Sequence, residues 1–252
     1  MSAPLVLSLF PGIGLLDMAF EEVFGADACI VRGPDLLWGG DIKRFHPPAG
    51  KFDGVIAGPP CQAFSRLRHL VKHNGYRVAE NLILEFARCV REAQPTWWLM
   101  ENVPEAPAPE LPGVQRQEIV DVWVGGETRR RRVFWYGGPG RFQIEILALH
   151  CPDPEYPVLA SGGAVPVPVA IGGSGKIERT KRAIETRKGA AALGFKTTAY
   201  FHEAIRLQGL PPDFLTKAPF TVAGKIKAIG NGVPLDMGRA VAQAVKRALA
   251  DG

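Results

Sequence analysis

A lone thiol follows two prolines in Val55-Ile56-Ala57-Gly58-Pro59-Pro60-Cys61-Gln62. The apolar run before it reads as a strand. Proline continues neither a sheet ladder nor a helix, so the backbone must turn at Pro59 and Pro60. A cysteine on a stiff turn at a strand's carboxyl end projects into the crevice where open α/β sheets bind ligands. There it can serve as a nucleophile, although free cysteines are also often buried as small apolar side chains. Two more groups occupy comparable places. Glu101-Asn102-Val103 follows the apolar run Trp97-Trp98-Leu99-Met100, and Arg129 to Arg132 lead into Val133-Phe134-Trp135-Tyr136. Singly, the glutamate could cap a helix and the arginines could form a solvated face. Together they supply a nucleophile, an acid and a cation, the set that addition to an electron-poor ring requires.

The elements around these groups alternate. Strands are predicted at Leu5 to Phe10, Ala28 to Val31, Phe52 to Ala57, Thr96 to Met100 and Arg132 to Tyr136. Helices are predicted at Leu15 to Phe24 and at Ala79 to Glu92, the latter from the spacing of Leu82, Ile83, Phe86, Ala87 and Val90. This alternation argues for an α/β fold with a doubly wound, mostly parallel sheet. From Gly137 the pattern changes. Glycine and proline are dense as far as Gly175, and a basic helical stretch follows over Lys176 to Lys188. Residues 138–198 therefore read as a small irregular second region. Residues 1–137 with 199–252 form the main domain, with helices returning at His202 to Gln208, Ala223 to Ile229 and Leu235 to Ala250.

The chain has 252 residues, 46% of them hydrophobic and 9% aromatic, enough for one substantial core. No apolar stretch approaches the ~20 residues of a membrane span, and the first residues read as a strand, not a leader. The four cysteines, Cys29, Cys61, Cys89 and Cys151, lack the spacing of zinc ligands, so no metal is expected. Cysteines so placed suit a reducing cytoplasm. The net charge of +5 favours a polyanionic partner such as nucleic acid.

A glycine turn, Gly12-Ile13-Gly14, closes the first predicted strand and lets backbone approach a ligand. It lacks the full dinucleotide fingerprint, and no phosphate-loop lysine accompanies it. An acidic residue near the end of the second strand can hold ribose hydroxyls. Asp35 is placed for that, while Glu21 and Glu22 read as helix surface.

Taken in order, these segments resemble the cytosine-C5 DNA methyltransferases. The resemblance rests on Phe10-Pro11-Gly12-Ile13-Gly14-Leu15, Gly40-Asp41-Ile42, Pro60-Cys61-Gln62, Glu101-Asn102-Val103 and Arg130-Arg131-Arg132-Val133-Phe134. It extends to Arg206-Leu207-Gln208-Gly209-Leu210-Pro211 and Ile229-Gly230-Asn231-Gly232-Val233-Pro234. It implies the S-adenosylmethionine-dependent methyltransferase fold and that cofactor. Phe10, Gly12, Ile13, Gly14, Leu15, Asp35, Asp41, Ile42, Pro60, Leu82, Asn231 and Val233 would surround it, Asp41 accepting from the adenine amine. Leu82 would serve equally as plain helix core. The resemblance further implies that Cys61 attacks C6 of a flipped cytosine, that Glu101 contacts N3 and the exocyclic amine, that Arg132 holds O2 and that Arg130 supports the site. Gln62, Ser65, Arg66 and Asn102 would contact nucleic acid, with Lys176, Lys181, Arg182 and Arg187 on phosphates or simply in solvent.

The sequence departs from the pattern in three places. Thr128 stands where a glutamine is usual, Leu7-Ser8-Leu9 lacks the usual aspartate, and the second region is short for target recognition. The partner implied is double-stranded DNA, bound by a cytoplasmic monomer of bacterial or bacteriophage type. A restriction partner or accessory protein is left open. RNA, transfer RNA in particular, is the alternative substrate, but the Cys-Phe-Thr stretch of the RNA-acting relatives is missing. A non-catalytic DNA-binding protein would not need Cys61, Glu101 and Arg132 together.

Overall fold

The computed structural model describes residues 4–25, 28–64, 80–147 and 198–252, with two short strands at Pro157–Val158 and Val167–Pro168. Six strands form one sheet: β1 (Leu5–Leu9), β2 (Cys29–Arg32), β3 (Gly54–Ala57), β4 (Trp97–Asn102), β5 (Gln115–Val120) and β6 (Arg131–Gly137). Their order is β2-β1-β3-β4-β6-β5. The first four run parallel, and β6 enters antiparallel between β4 and β5. β3 and β4 are buried along their whole length, as parallel strands covered on both faces must be.

Among the described residues there are five α-helices: α1 (Leu15–Phe24), α2 (Ile83–Ala93), α3 (Thr198–Leu207), α4 (Val222–Asn231) and α5 (Leu235–Asp251). α1 and α5 cover one face. Phe20 stacks on Trp97 and Phe24 there, beside Val241 and Val245. α2 covers the other face through Ile83, Phe86 and Val90, packed with Val55, Trp98 and Met100. α3 and α4 form a third cluster, in which Phe201, Ile205 and Ile226 pack with Leu15 and Ala19. Gly54 and Gly137 are required by close approach, since a Cβ on either would overlap the ring of Trp97 or Trp98.

The doubly wound, mostly parallel sheet agrees with the expectation, with two differences. β5 was not anticipated, because Gln-Arg-Gln-Glu-Ile-Val has little apolar alternation until its end. Its glutamines act as surrogate backbone. Gln115 and Gln117 each accept from and donate to the segment at 140–144, completing this edge of the sheet. That segment is also not separate from the sheet. Phe142 and Ile144 are buried in the α1–α5 cluster, so the start of the expected second region, from 138 to at least 144, packs with the main domain. The expected residues Ser65, Arg66, Lys176, Lys181, Arg182 and Arg187 lie outside the described residues. Among the described residues no helix is long and apolar enough to cross a membrane, and no cluster of metal-ligating side chains occurs.

Candidate active site

The parallel strands all deliver their carboxyl ends to one edge of the sheet, and the reactive groups gather there. Pro59 and Pro60 end β3, and Cys61 opens a short 3-10 turn, Cys61–Ala63. Asn102 fixes this turn from the end of β4. Its amide donates to the Pro59 carbonyl at 3.0 Å while its oxygen accepts from Val103 N at 2.8 Å. Asn102 is fully buried, so its position is that of a brace between two strand ends and not the nucleic-acid contact expected of it. Cys61 is partly exposed and Gln62 exposed, as access from outside requires. Cys89 differs sharply: it is buried in the α2 packing, and burial pushes its thiol up to about 11.

Glu101 lies on β4 opposite Phe134 of β6. Because β6 is antiparallel, it begins where β4 ends, and Arg132 is thereby carried beside Glu101. The Nε of Arg132 meets Glu101 Oε1 at 2.6 Å, with only 14% and 11% of the two side chains exposed. The nearest atom to a Cβ built on Gly58 is Glu101 Oε2, at 3.5 Å. The Gly-Pro-Pro-Cys turn thus faces the carboxylate.

Arg130 has a different environment. Its guanidinium is buried and donates to the carbonyls of Gly230 at 2.8 Å and Asn231 at 3.3 Å, at the carboxyl end of α4. Burial, with Arg132 nearby, lowers its pKa to about 9, while the charges of Glu101 and Cys61 oppose that shift. Expected to support the site, Arg130 is placed as a cation on a helix terminus, within electrostatic reach of the thiol.

The entry to β6 is locked by a residue that sequence reasoning missed. Asp121 is fully buried and accepts from Thr128 N at 3.0 Å and Thr128 Oγ1 at 2.6 Å. Its other oxygen, Oδ1, is buried with no hydrogen-bond partner. Thr128, the departure noted above, is thereby explained: it pairs with a carboxylate that a sequence reading could not place without β5. Burial pushes Asp121 up to about 6 from 3.8. A carboxyl group with a raised folded pKa favours folding when protonated, so its contribution is present below about pH 4 and lost as pH rises through about 6. Asp121→Asn keeps an acceptor for Thr128 and removes the titration. Relative to the wild type it should gain stability between pH 4 and pH 7, by up to about 3 kcal/mol. Urea unfolding of both proteins at several pH values checks this, and parallel curves would refute it.

At the other end of the crevice, the glycine turn after β1 is left-handed at Phe10 (φ 54), Gly12 (φ 55) and Gly14 (φ 79). Such a φ is uncommon for phenylalanine and marks a held conformation. A Cβ built on Gly12 would meet nothing within 4 Å, so the turn leaves open space beside its backbone. Asp35 accepts from Gly12 N at 2.8 Å and Leu37 N at 2.7 Å, which puts its carboxylate against the turn. Asp41 is exposed and caps a short turn, Ile42–Arg44, through Lys43 N at 3.0 Å. Trp38, not anticipated, is 60% exposed and donates to Gly12 O at 2.7 Å. On α1, Asp17 is buried, accepting from Ser8 Oγ and from Arg32 Nε at 2.8 Å.

Of the remaining expected cofactor neighbours, Ile13, Pro60 and Leu82 are partly exposed and Asn231 exposed. Leu15 and Val233 are core side chains. Leu15 packs in the α3–α4 cluster, where a Cβ on Gly232 would collide with it, and Val233 lies in the α1–α5 cluster. Ile42 is likewise buried, against α2. The turn's open space, its hydrogen-bonding backbone, two carboxylates and an indole fit an adenosine bearing a short zwitterionic arm.

Comparison with known proteins adds the decisive observation. Residues 39–114 match the family model described as C-5 cytosine-specific DNA methylase, a stretch that holds Asp41, Cys61 and Glu101. Over this stretch the chain is similar to the cytosine-C5 methyltransferases. Similar curated proteins include the Type II methyltransferase M.FnuDI of Fusobacterium nucleatum, 33% identical over 112 residues, covering 39% of this chain and 32% of that one. Another is the Type II methyltransferase M.NgoPII of Neisseria gonorrhoeae, 28% identical over 116 residues, covering 39% and 33%. The match thus spans about a third of these relatives' length. Among solved structures, the Entamoeba histolytica methyltransferase EhMeth is similar with a TM-score of 0.60 at 13% identity, covering 99% of both chains. A Spodoptera frugiperda DNMT2 mutant is similar with a TM-score of 0.57 at 16% identity, covering 96% of this chain and 99% of that one. These structural likenesses concern the fold alone.

Proposed function

We propose that this chain is a DNA cytosine-C5 methyltransferase using S-adenosylmethionine, with Cys61 as nucleophile. The observation that carries the reading is the Glu101–Arg132 pair facing the Gly-Pro-Pro-Cys turn. Carbon 5 of cytosine is a weak nucleophile. Addition of the Cys61 thiolate to C6 breaks the 5,6 double bond and pushes electron density onto C5, a covalent route that divides one hard step into easier ones. Glu101 contacts N3 and the exocyclic amine, and Arg132 holds O2, so that charge developing in the ring meets fixed partners. Arg132 also fixes the orientation of Glu101 before substrate arrives. The cofactor supplies an electrophilic methyl group to C5. Loss of the C5 proton to a base and expulsion of Cys61 then restore the aromatic ring. The target carbon is hidden within stacked duplex, so the base must leave the stack to reach Cys61.

Phe10, Gly12, Gly14, Asp35, Asp41 and Trp38 would hold the cofactor, Asp35 and Asp41 taking hydrogen bonds from ribose and adenine. Gln62, beside the nucleophile and exposed, would meet the nucleic acid. The test is expression in cells lacking cytosine methylation, followed by base-resolution sequencing of their DNA and RNA. Appearance of 5-methylcytosine in DNA at a defined sequence is expected. Methylation confined to RNA would replace the substrate, and none in either would refute the activity.

A further inference from the structure

The turn that carries Asp41 and Ile42 lies between β2 and β3, outside the sheet. Its own hydrogen bonds, Arg44 N to Asp41 O at 3.1 Å and Phe45 N to Ile42 O at 3.2 Å, give it shape but do not locate it on the body of the protein. Arg88 of α2 does. Its Nη2 donates to the carbonyl of Ile42 at 2.8 Å and to that of Phe45 at 3.0 Å, gripping both ends of the turn. The rest of the guanidinium is oriented from its own helix. Nε donates to Glu85 at 2.8 Å, and Nη1 donates to both oxygens of Glu92 at 2.8 Å. Glu85 and Glu92 sit three residues before and four after Arg88, on one helix face. A planar five-donor group held at two edges presents its third in a fixed direction. The ring of His46 closes the cluster, with Nδ1 at 3.1 Å from Glu92 Oε2 and 3.3 Å from Arg88 Nη1. Burial opposes the charge on Arg88, but the bonds to Glu92 and Glu85 hold its pKa above the ordinary value. Beneath the grip, the Ile42 side chain is buried among Ile83, Phe86 and Val90.

We propose that Arg88 is a positioning residue for the adenosine end of the cofactor site, clamping the Asp41–Ile42 turn to α2 so that Asp41 faces the ligand. This rests on the cofactor reading above. Calorimetric titration of the full chain with S-adenosylhomocysteine tests it without need of a DNA substrate. Asp41→Ala and Arg88→Ala should each weaken binding about tenfold or more, as loss of a buried or charge-assisted hydrogen bond does. Arg88 acts through Asp41, so the double variant should bind about as weakly as the weaker single variant, not at the product of the two losses. Arg88→Lys keeps charge and stem but cannot bridge two carbonyls and two carboxylates. It should fold with near wild-type thermal stability yet bind more weakly than wild type. Multiplying losses in the double variant, or wild-type affinity in Arg88→Lys, would overturn the clamp while leaving the cofactor reading intact. Absence of binding by the wild-type chain would remove both.

Discussion

Replacing Cys61 by alanine should abolish methyl transfer, with kcat reduced by at least about 10⁴-fold, because deleting a nucleophile removes the reaction path and not merely a contact. The substitution removes one sulfur from a partly exposed turn whose placement depends on Pro59, Pro60 and the Asn102 amide. Folding and cofactor affinity should therefore stay close to wild type. DNA containing 5-fluorocytosine separates this role from a structural one. After methyl transfer the fluorine on C5 cannot leave as a proton would, so the thioether to C6 persists. The wild type should form an adduct that survives denaturation, and Cys61→Ala should form none. Cys89 gives an internal control, since its thiol is buried and held largely protonated. Cys89→Ala should leave the adduct unchanged. Turnover by the Cys61 variant within tenfold of wild type would end the covalent mechanism.

The site was legible where side-chain identity alone specifies a place. Pro-Pro-Cys, Glu-Asn-Val and the glycine turn each stop an apolar strand, and parallel strands bring their carboxyl ends to a common edge whatever the details of packing. What sequence could not supply was direction. Asn102 and Arg130 belong to motifs that touch substrate in the resemblance, yet one braces Pro59 and the other caps α4. Neighbouring residues of a strand point to opposite faces, and a motif read as a string does not say which faces the crevice. The core packing of Leu15 and Val233 was illegible for a related reason. An apolar residue beside a ligand and one in the core look alike in sequence, and Gly232 decides the matter by admitting Leu15 against its backbone.

Helix α1 was legible to the residue, since its start is fixed by a left-handed glycine, Gly14, and its end by a second glycine of positive φ, Gly25. β5 was not, because its stabilising contacts are made by glutamine side chains with a segment about 25 residues further on. Asp121 and Thr128 became visible only once that strand was in place. Arg88 did leave a trace. Glutamates at three before and four after an arginine on a helix mark a preset guanidinium, but they do not say what it grips.

The pair Glu101–Arg132 should show the second large effect, and its two halves should behave unequally. Both side chains are nearly buried and meet at 2.6 Å. Removing one partner of a buried pair leaves the other charged without compensation, at a cost of about 3–5 kcal/mol, whereas the intact pair is close to neutral against an apolar replacement. Arg132→Ala strands the Glu101 carboxylate and Glu101→Ala strands the guanidinium, so each should be less stable than the double variant. Glu101→Gln preserves shape and one acceptor and should cost far less stability. Its effect should fall on chemistry: a neutral amide cannot hold the charge and protons that N3 and the exocyclic amine exchange as the thiolate adds. A loss of about 10²–10³-fold in kcat is expected, the scale found when one preorganised partner of a developing charge is removed. Cofactor affinity should not change, because the glycine turn, Asp35 and Asp41 are anchored independently of β6. Unfolding curves of the three single variants and the double variant, set beside their turnover rates, test both claims. Equal losses of stability and rate in Glu101→Gln would make the pair a structural strut, whereas a rate loss at constant stability assigns Glu101 to the reacting ring.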